Sequence, residues 1–411
     1  MFRLGLRDYT TFVMPFFNPL RPSYAEDPYP ALARLRAQDP VFFSRDLNAW
    51  IVTRYAECSL ALHDTARFRS DFLAAEGPRW AVARARNELF LGGVPALSAM
   101  AEPDHHRMRE TVSAVFAPRA VQRLRERIAD AVDGLLAGLA PGEPFEVMRG
   151  LAYPLPRMVI AEQLGIPETD REEFQAHADA IARAMFGGAE PAEVARASEA
   201  RDALLAYVAR LHANPEALDR SGALARMIDA FTGGALSQAE VVGLAVDVAM
   251  AGNDPTACLI GNGLLALLRH PDQIDLVRGE PALMADATDE FARFDSPLHA
   301  LMRIAAEDVE LAQKVIRRGE VVYLMVGAAN RDPAQFADPD RLDVRRENRR
   351  HLGFGAGAHF CLGSPLGRLE AEVALCTLIT RYPTLHLAGR GAEYEPEFEM
   401  RGPRRLTVAY D

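Results

Sequence analysis

The chain has 411 residues, 49% of them hydrophobic, with 46 basic and 57 acidic side chains and a net charge of −11. That balance describes an ordinary globular protein with a large core and argues against a nucleic-acid partner. Four cysteines without CxxC spacing argue against a zinc site or a disulfide framework and point to a reducing, cytoplasmic setting.

Residues 1–17 read as an N-terminal extension. The apolar run Phe12-Val13-Met14-Pro15-Phe16-Phe17 is far shorter than a membrane span, and it follows Arg3, Arg7 and Asp8. No charged, apolar, small-residue order marks a cleavable signal. Residues 18–411 contain no linker, repeat or low-complexity run and read as one domain. Strands are expected at 41–43, 49–53, 320–326 and 405–409. Helical spacing covers 120–139, and further helices are expected at 168–186 and 192–212, joined at Gly187-Gly188. Ser237-Gln238-Ala239-Glu240 is a capping box, and the segment it opens stays apolar to Arg269. If continuous, that helix is about 50 Å long and buried. Glu290 and Arg293, three apart on a short helix beginning near Pro281, can pair.

Phe354-Gly355-Ala356-Gly357-Ala358-His359-Phe360-Cys361-Leu362-Gly363 is the most informative segment. It is a glycine-rich loop that delivers one cysteine to the start of a helix, where Pro365 suits the first turn. Glycines let the backbone turn tightly, so amide N–H groups can point at the sulfur. Those groups and the positive end of the helix favour a thiolate. A lone thiolate so placed suits a soft metal, and an axial thiolate is one of the few ways of holding haem iron. Simple burial suits Cys58, Cys258 and Cys376, but it explains neither the glycines nor Phe354 and His359. At every defined position the segment resembles the haem-binding loop Phe-Gly-x-Gly-x-His-x-Cys-x-Gly of the cytochrome P450 family. The likeness runs from about Asn18 to the C-terminus.

The resemblance implies a mostly α fold with a small β region, a single domain in which haem b lies between a long distal helix and the helix of the cysteine loop. Cys361 would be the iron ligand, in a loop shaped by Phe354, Gly355 and Gly363. Glu290 and Arg293 would form a buried ionic network that locks onto Asn330-Arg331-Asp332-Pro333. His105, Arg109, Arg303 and His359 would face the two propionates. Ala251-Gly252-Asn253-Asp254-Pro255-Thr256 resembles the oxygen-activating stretch, with Gly252 making room for dioxygen and Asp254 relaying protons. Pro255 stands where that stretch carries a hydroxyl, and its ring crowds the carbonyl of Ala251. Thr256, Asn253, an ordered water or a substrate hydroxyl would then supply the missing donor.

The family layout also suggests pocket residues: Phe72, Trp80 and Phe90; Leu244, Val248 and Ala251; Leu298, His299 and Leu301; and Phe398, with Arg79 and His299 as polar contacts. The implied activity is a haem-thiolate monooxygenase that inserts one oxygen atom from O2 into a C–H bond of a small lipophilic molecule or secondary metabolite. Electrons would come from a ferredoxin or flavodoxin-type donor with its reductase, docking near Arg119, Arg123, Arg125, Arg345, Arg346, Arg349 and Arg350. A cytoplasmic monomer without membrane contact is expected. Pro255 motivates one alternative, atypical O–O activation (a peroxygenase, oxidative coupling or rearrangement). A second alternative is a non-catalytic haem-binding or sensing protein.

Overall fold

The computed structural model describes residue 19 and residues 21–75, 77–186 and 190–411. The extension read at 1–17, the joint at Gly187-Gly188 and the side chain of Arg79 lie outside the described residues. The chain is mostly helical with small sheets, and it forms two compact units. Among the described residues one unit takes in 70–120 and 157–253, and the other takes in the remainder. The chain passes between the units at 69/70, 120/121, 156/157 and 253/254, two of these within helices Pro118–Val121 and Pro154–Leu164, so no Gly/Ser-rich spacer marks them in the sequence.

In the first unit, Gln238–Ala251 is the central helix, and its sequence explains both ends. Glu240 N donates to Ser237 Oγ at 3.2 Å and Ser237 N donates to Glu240 Oε2 at 2.7 Å, the reciprocal bonds of the capping box. Helix Asp104–Ser113 is tied to that same end: Arg107 donates to Glu240 Oε1 at 2.5 Å and to the carbonyl of Ala235 at 2.8 Å. The stretch following helix Pro78–Leu91 runs along one face of the central helix. A Cβ built on Gly92 would lie 3.4 Å from Ala239, and one on Gly243 would lie 3.0 Å from Val94. Farther on, Leu97 N donates to Asp247 Oδ2 at 2.8 Å. Positions 239, 243 and 247 step by four and so share a helix face.

The helix does not continue to Arg269. It ends at Ala251, Gly252 and Asn253 form a turn, and a new helix spans Asp254–Arg269. Pro255 is the physical reason: inside a helix it removes a donor and clashes with the preceding turn, but at the second position of a new one it costs nothing.

The second unit is built on a five-stranded sheet. Val41–Ser44 pairs antiparallel with Ala49–Val52, which runs parallel to Val321–Leu324. Leu301–Ala305 follows, antiparallel, with Phe68–Arg69 at the edge. The central strand is buried along its whole length, as its unbroken apolar sequence requires. Helix Tyr55–His63 covers this sheet through Cys58, Ala61 and Leu62, all fully buried. Helices Asp254–Arg269, Leu283–Phe294 and Ser364–Arg381 pack together in the same unit.

Candidate functional site

Cys361 is half-buried at the end of its loop, three residues before helix Ser364–Arg381, which carries Pro365 in its first turn as expected. Cys361 N donates to the carbonyl of Phe354 at 2.9 Å, closing the loop on itself. Gly355 and Gly357 hold φ values of +70° and +69°, which side-chain-bearing residues resist. Gly357 also presses on helix Tyr55–His63, where a Cβ would come 2.6 Å from the carbonyl oxygen of Leu62. Gly363 differs, with φ −80° at the helix start and open space beside it. Phe354 is stacked under the guanidinium of Arg368, 4.2 Å from its ring, and beside His351. Arg368 Nε and His351 both reach Asp289 Oδ1, at 2.7 and 3.1 Å.

A chain of buried bonds connects this loop to the Glu290–Arg293 pair. Arg293 donates to both carboxylate oxygens of Glu290, at 2.6 and 2.7 Å, with side chains only 1% and 3% exposed. Arg293 Nη1 donates to the carbonyls of Asn330 and Pro339, at 2.9 and 2.8 Å. Asn330 in turn accepts from Leu352 N at 2.7 Å and donates to Ser296 Oγ at 2.7 Å. The pair therefore grips Asn330 through its backbone, and the Asn330 side chain sets the entrance to the cysteine loop. Sequence reasoning found the pair but missed the Asn330 amide and the brace formed by His351 and Asp289. Arg346, expected on a docking surface, is instead 9% exposed and bonded to Glu290.

Cys58 and Cys258 are buried, and burial pushes both thiols far up, so neither competes with Cys361 for a thiolate role.

Among the cationic candidates, His105 and Arg109 sit one turn apart on helix Asp104–Ser113 in the first unit. His105 is 2% exposed, and its Nδ1 meets Glu102 Oε1 at 2.9 Å. In the second unit His359 is half-buried in the cysteine loop. Arg303 lies on strand Leu301–Ala305, 6% exposed. Its Nη1 donates to the carbonyl of Met302 at 2.8 Å, its Nε has no acceptor, and it makes no ion pair among the described residues. Burial alone pulls it down to about 10. Burying a guanidinium without an acidic partner among the described residues is costly, and an anion beside it would offset that cost.

Around the break, a Cβ on Gly252 would meet Ile160 at 2.9 Å, so only glycine lets these chains approach. Asn253 Oδ1 is buried with no hydrogen-bond partner among the described residues. Thr256 is 8% exposed, and its Oγ1 would lie 3.3 Å from a Cβ on Gly367 of the cysteine helix. Asp254 is exposed at the start of its helix. Its charge is felt by Glu397, pushed up to about 7, first by burial and then by Asp254. Sequence reasoning passed over Glu397.

Several pocket candidates are closely packed. Phe90 and Leu244 are 0% and 1% exposed and belong to the core. His299, also expected to contact substrate, is buried against Tyr24, Tyr29 and Gly327, where burial pulls it down to about 3. Phe72 and Trp80 pack ring to ring at 5.8 Å. Val248 is 8% exposed, whereas Ala251 is exposed. Leu298, Leu301 and Phe398 are half-buried, with Leu298 bridged to Met400 and Phe398 on Tyr323 at 4.8 Å.

A cysteine loop braced by a buried Glu–Arg pair, with a buried arginine lacking an acid, defines a haem-thiolate type of protein. Residues 192–398 match the family model described as "Cytochrome P450". The chain is 38% identical over 395 residues to vitamin D(3) 25-hydroxylase of Pseudonocardia autotrophica, covering 94% of each. It is 35% identical over 397 residues to cytochrome P450 monooxygenase PikC of Streptomyces venezuelae, covering 94% of this chain and 92% of that one. Epothilone D-bound cytochrome P450epoK superposes with a TM-score of 0.87 at 34% identity, covering 96% of this chain and 99% of that one. The chain belongs to the cytochrome P450 family. It is thus an oxygen-incorporating oxidoreductase whose cofactor is haem b, and Arg303, which has no acidic partner among the described residues, fits a group carrying carboxylates. No helix among the described residues is long and apolar enough to cross a membrane.

Proposed function

We propose that the protein inserts one oxygen atom from O2 into a lipophilic small molecule, most simply at a C–H bond, with Cys361 as the residue that would hold the haem iron through its thiolate. The observation that carries this reading is the cysteine loop itself, closed by the Cys361–Phe354 bond and anchored through Asn330 to Glu290–Arg293. Bound haem supplies the redox centre at which dioxygen is split. By the family likeness, His105, Arg109, Arg303 and His359 are the residues that would pair with its propionates. Gly252 keeps bulk away from the oxygen site, and Asp254 with Asn253 would hold protons and water there. The compounds named for relatives, epothilone D among them, support a substrate of the secondary-metabolite class. Arg119, Arg123 and Arg350 remain exposed and suit an acidic ferredoxin-type donor.

The test is the spectrum of the reduced protein with carbon monoxide. A thiolate-type Soret band is expected, and Cys361→His must abolish it without loss of bound haem. Absence of the band in the wild type would defeat the assignment.

Pro255 favours a second reading, altered proton delivery. Thr256 is no evident substitute for the absent hydroxyl, because its Oγ1 packs toward Gly367. Product formed from hydrogen peroxide alone, at a rate rivalling the electron-driven reaction, would select this reading.

A further inference from the structure

Between Val241 and Ala251 the central helix of the first unit is buried except at Asp247, Met250 and Ala251. Those positions are i, i+3 and i+4, so they share one face. Val246 and Val248 on either side of Asp247 are 1% and 8% exposed. Asp247 keeps accessible surface, yet burial pushes its carboxyl up to about 6 against the lowering effect of the Leu97 N–H. Asp247 thus keeps part of its surface accessible in surroundings that disfavour its charge.

Its position is fixed. Oδ2 takes the Leu97 N–H at 2.8 Å. Leu97 opens a short 3-10 turn, Leu97–Ala99, and the chain before it is pinned by Val94 on Gly243 and by Asn87 Nδ2, which donates to the Val94 carbonyl at 2.8 Å. Asp247 makes no ion pair among the described residues, and no hydrogen bond to Oδ1 is found among them.

We propose that Asp247 is a specificity-determining residue, its Oδ1 accepting a hydrogen bond from a hydroxyl or protonated amine of an otherwise lipophilic substrate. One helical turn, about 5.4 Å, separates it from Ala251 beside the oxygen-activating stretch. The anchored donor therefore sets which carbon of the substrate lies near that stretch. A desolvated acceptor discriminates strongly, because an analogue without the donor leaves it unpaired.

This inference rests on the monooxygenase reading, and the test separates the two. Wild-type holoenzyme is titrated with farnesol and cholesterol, each beside its methyl ether, and with N,N-dimethylfarnesylamine, following the low-to-high-spin change. The donor-bearing compounds are expected to bind ~10–100-fold more tightly than the ethers. Asp247→Leu should bring that ratio towards one. Asp247→Asn keeps an acceptor for Leu97 and covers the case where the leucine variant does not fold. It should weaken the alcohols several-fold and the amine more, leaving the ethers unchanged. A wild-type ratio near one, binding of ethers but of no alcohol or amine, or an unchanged ratio in either variant overturns the proposal. The carbon-monoxide band, intact in each protein, shows that such a failure concerns Asp247 and not the haem-thiolate assignment.

Discussion

Arg346 Nε donates to both carboxylate oxygens of Glu290, at 3.2 and 3.1 Å, on the side that Arg293 leaves open. One buried carboxylate thus holds two guanidiniums and also accepts from Asp343 N at 3.0 Å. Burial pulls Arg293 down while the bonds to Glu290 hold it up. Removing either charge strands the others. Glu290→Gln is expected to cost about 3–5 kcal/mol and to lower the haem-to-protein ratio on purification. Arg346→Gln should act in the same direction. Arg345→Gln should be silent, because Arg345 is exposed and paired only with exposed Glu280. Equal haem content and melting temperature for the 345 and 346 variants would show the Arg346 contact to be incidental.

Arg303 makes the opposite kind of prediction. Without haem its buried charge has no acid to meet, so Arg303→Met should leave the apoprotein as stable as wild type or more so. With haem bound, the same change removes a charge-assisted bond worth about 1.5–3 kcal/mol. Haem transfer to apomyoglobin should then run roughly 10–100-fold faster. Destabilisation of the apoprotein together with unchanged transfer would place Arg303 outside the propionate set.

How legible was this in the sequence? The cysteine loop was readable from its glycines and its likeness to the family's loop, and the Glu290–Arg293 pairing from helical spacing, while the burial of that pair was implied only by the resemblance. The contacts of the Asn330 amide and of Asp289, and that of Arg346 with Glu290, were not, because these partners lie 22 to 79 positions away and follow no local period. Apolar character likewise does not distinguish a side chain that lines a pocket from one beneath it, and Phe90 and Leu244 are fully packed. Asp247 does not stand out by periodicity, because apolar residues predominate along its helix. A lone acid in that run was the available signal.

Pro255 occupies the second position of helix Asp254–Arg269, where a proline is preorganised. Pro255→Thr should therefore cost little, about 1 kcal/mol or less, while restoring a hydroxyl where the family carries one. If proton delivery is limiting, product per electron pair rises and peroxide release falls. Thermal melts and the product-to-cofactor ratio check both halves. A loss of several degrees would mean that proline is needed to set the break. Unchanged coupling would mean that Asn253, Asp254 or water already supplies the proton.

Glu397 gives the pH dependence. Its carboxyl is raised to about 7 by burial and by Asp254, against about 4.3 in an unfolded chain. The native state therefore holds a proton that the unfolded chain has already lost. This contribution is fully present below pH ~4.3 and fades as pH rises through about 7. Glu397 is half-buried, so the loss is discounted to ~1–2 kcal/mol. Glu397→Gln should match wild type in urea denaturation near pH 4 and exceed it at pH 8, because an amide carries the neutral form at every pH. The Asp254 charge is the second cause, so Asp254→Asn should remove part of the slope while Glu397 is still present. Parallel pH curves for wild type and Glu397→Gln would mean that the two carboxylates do not share a field.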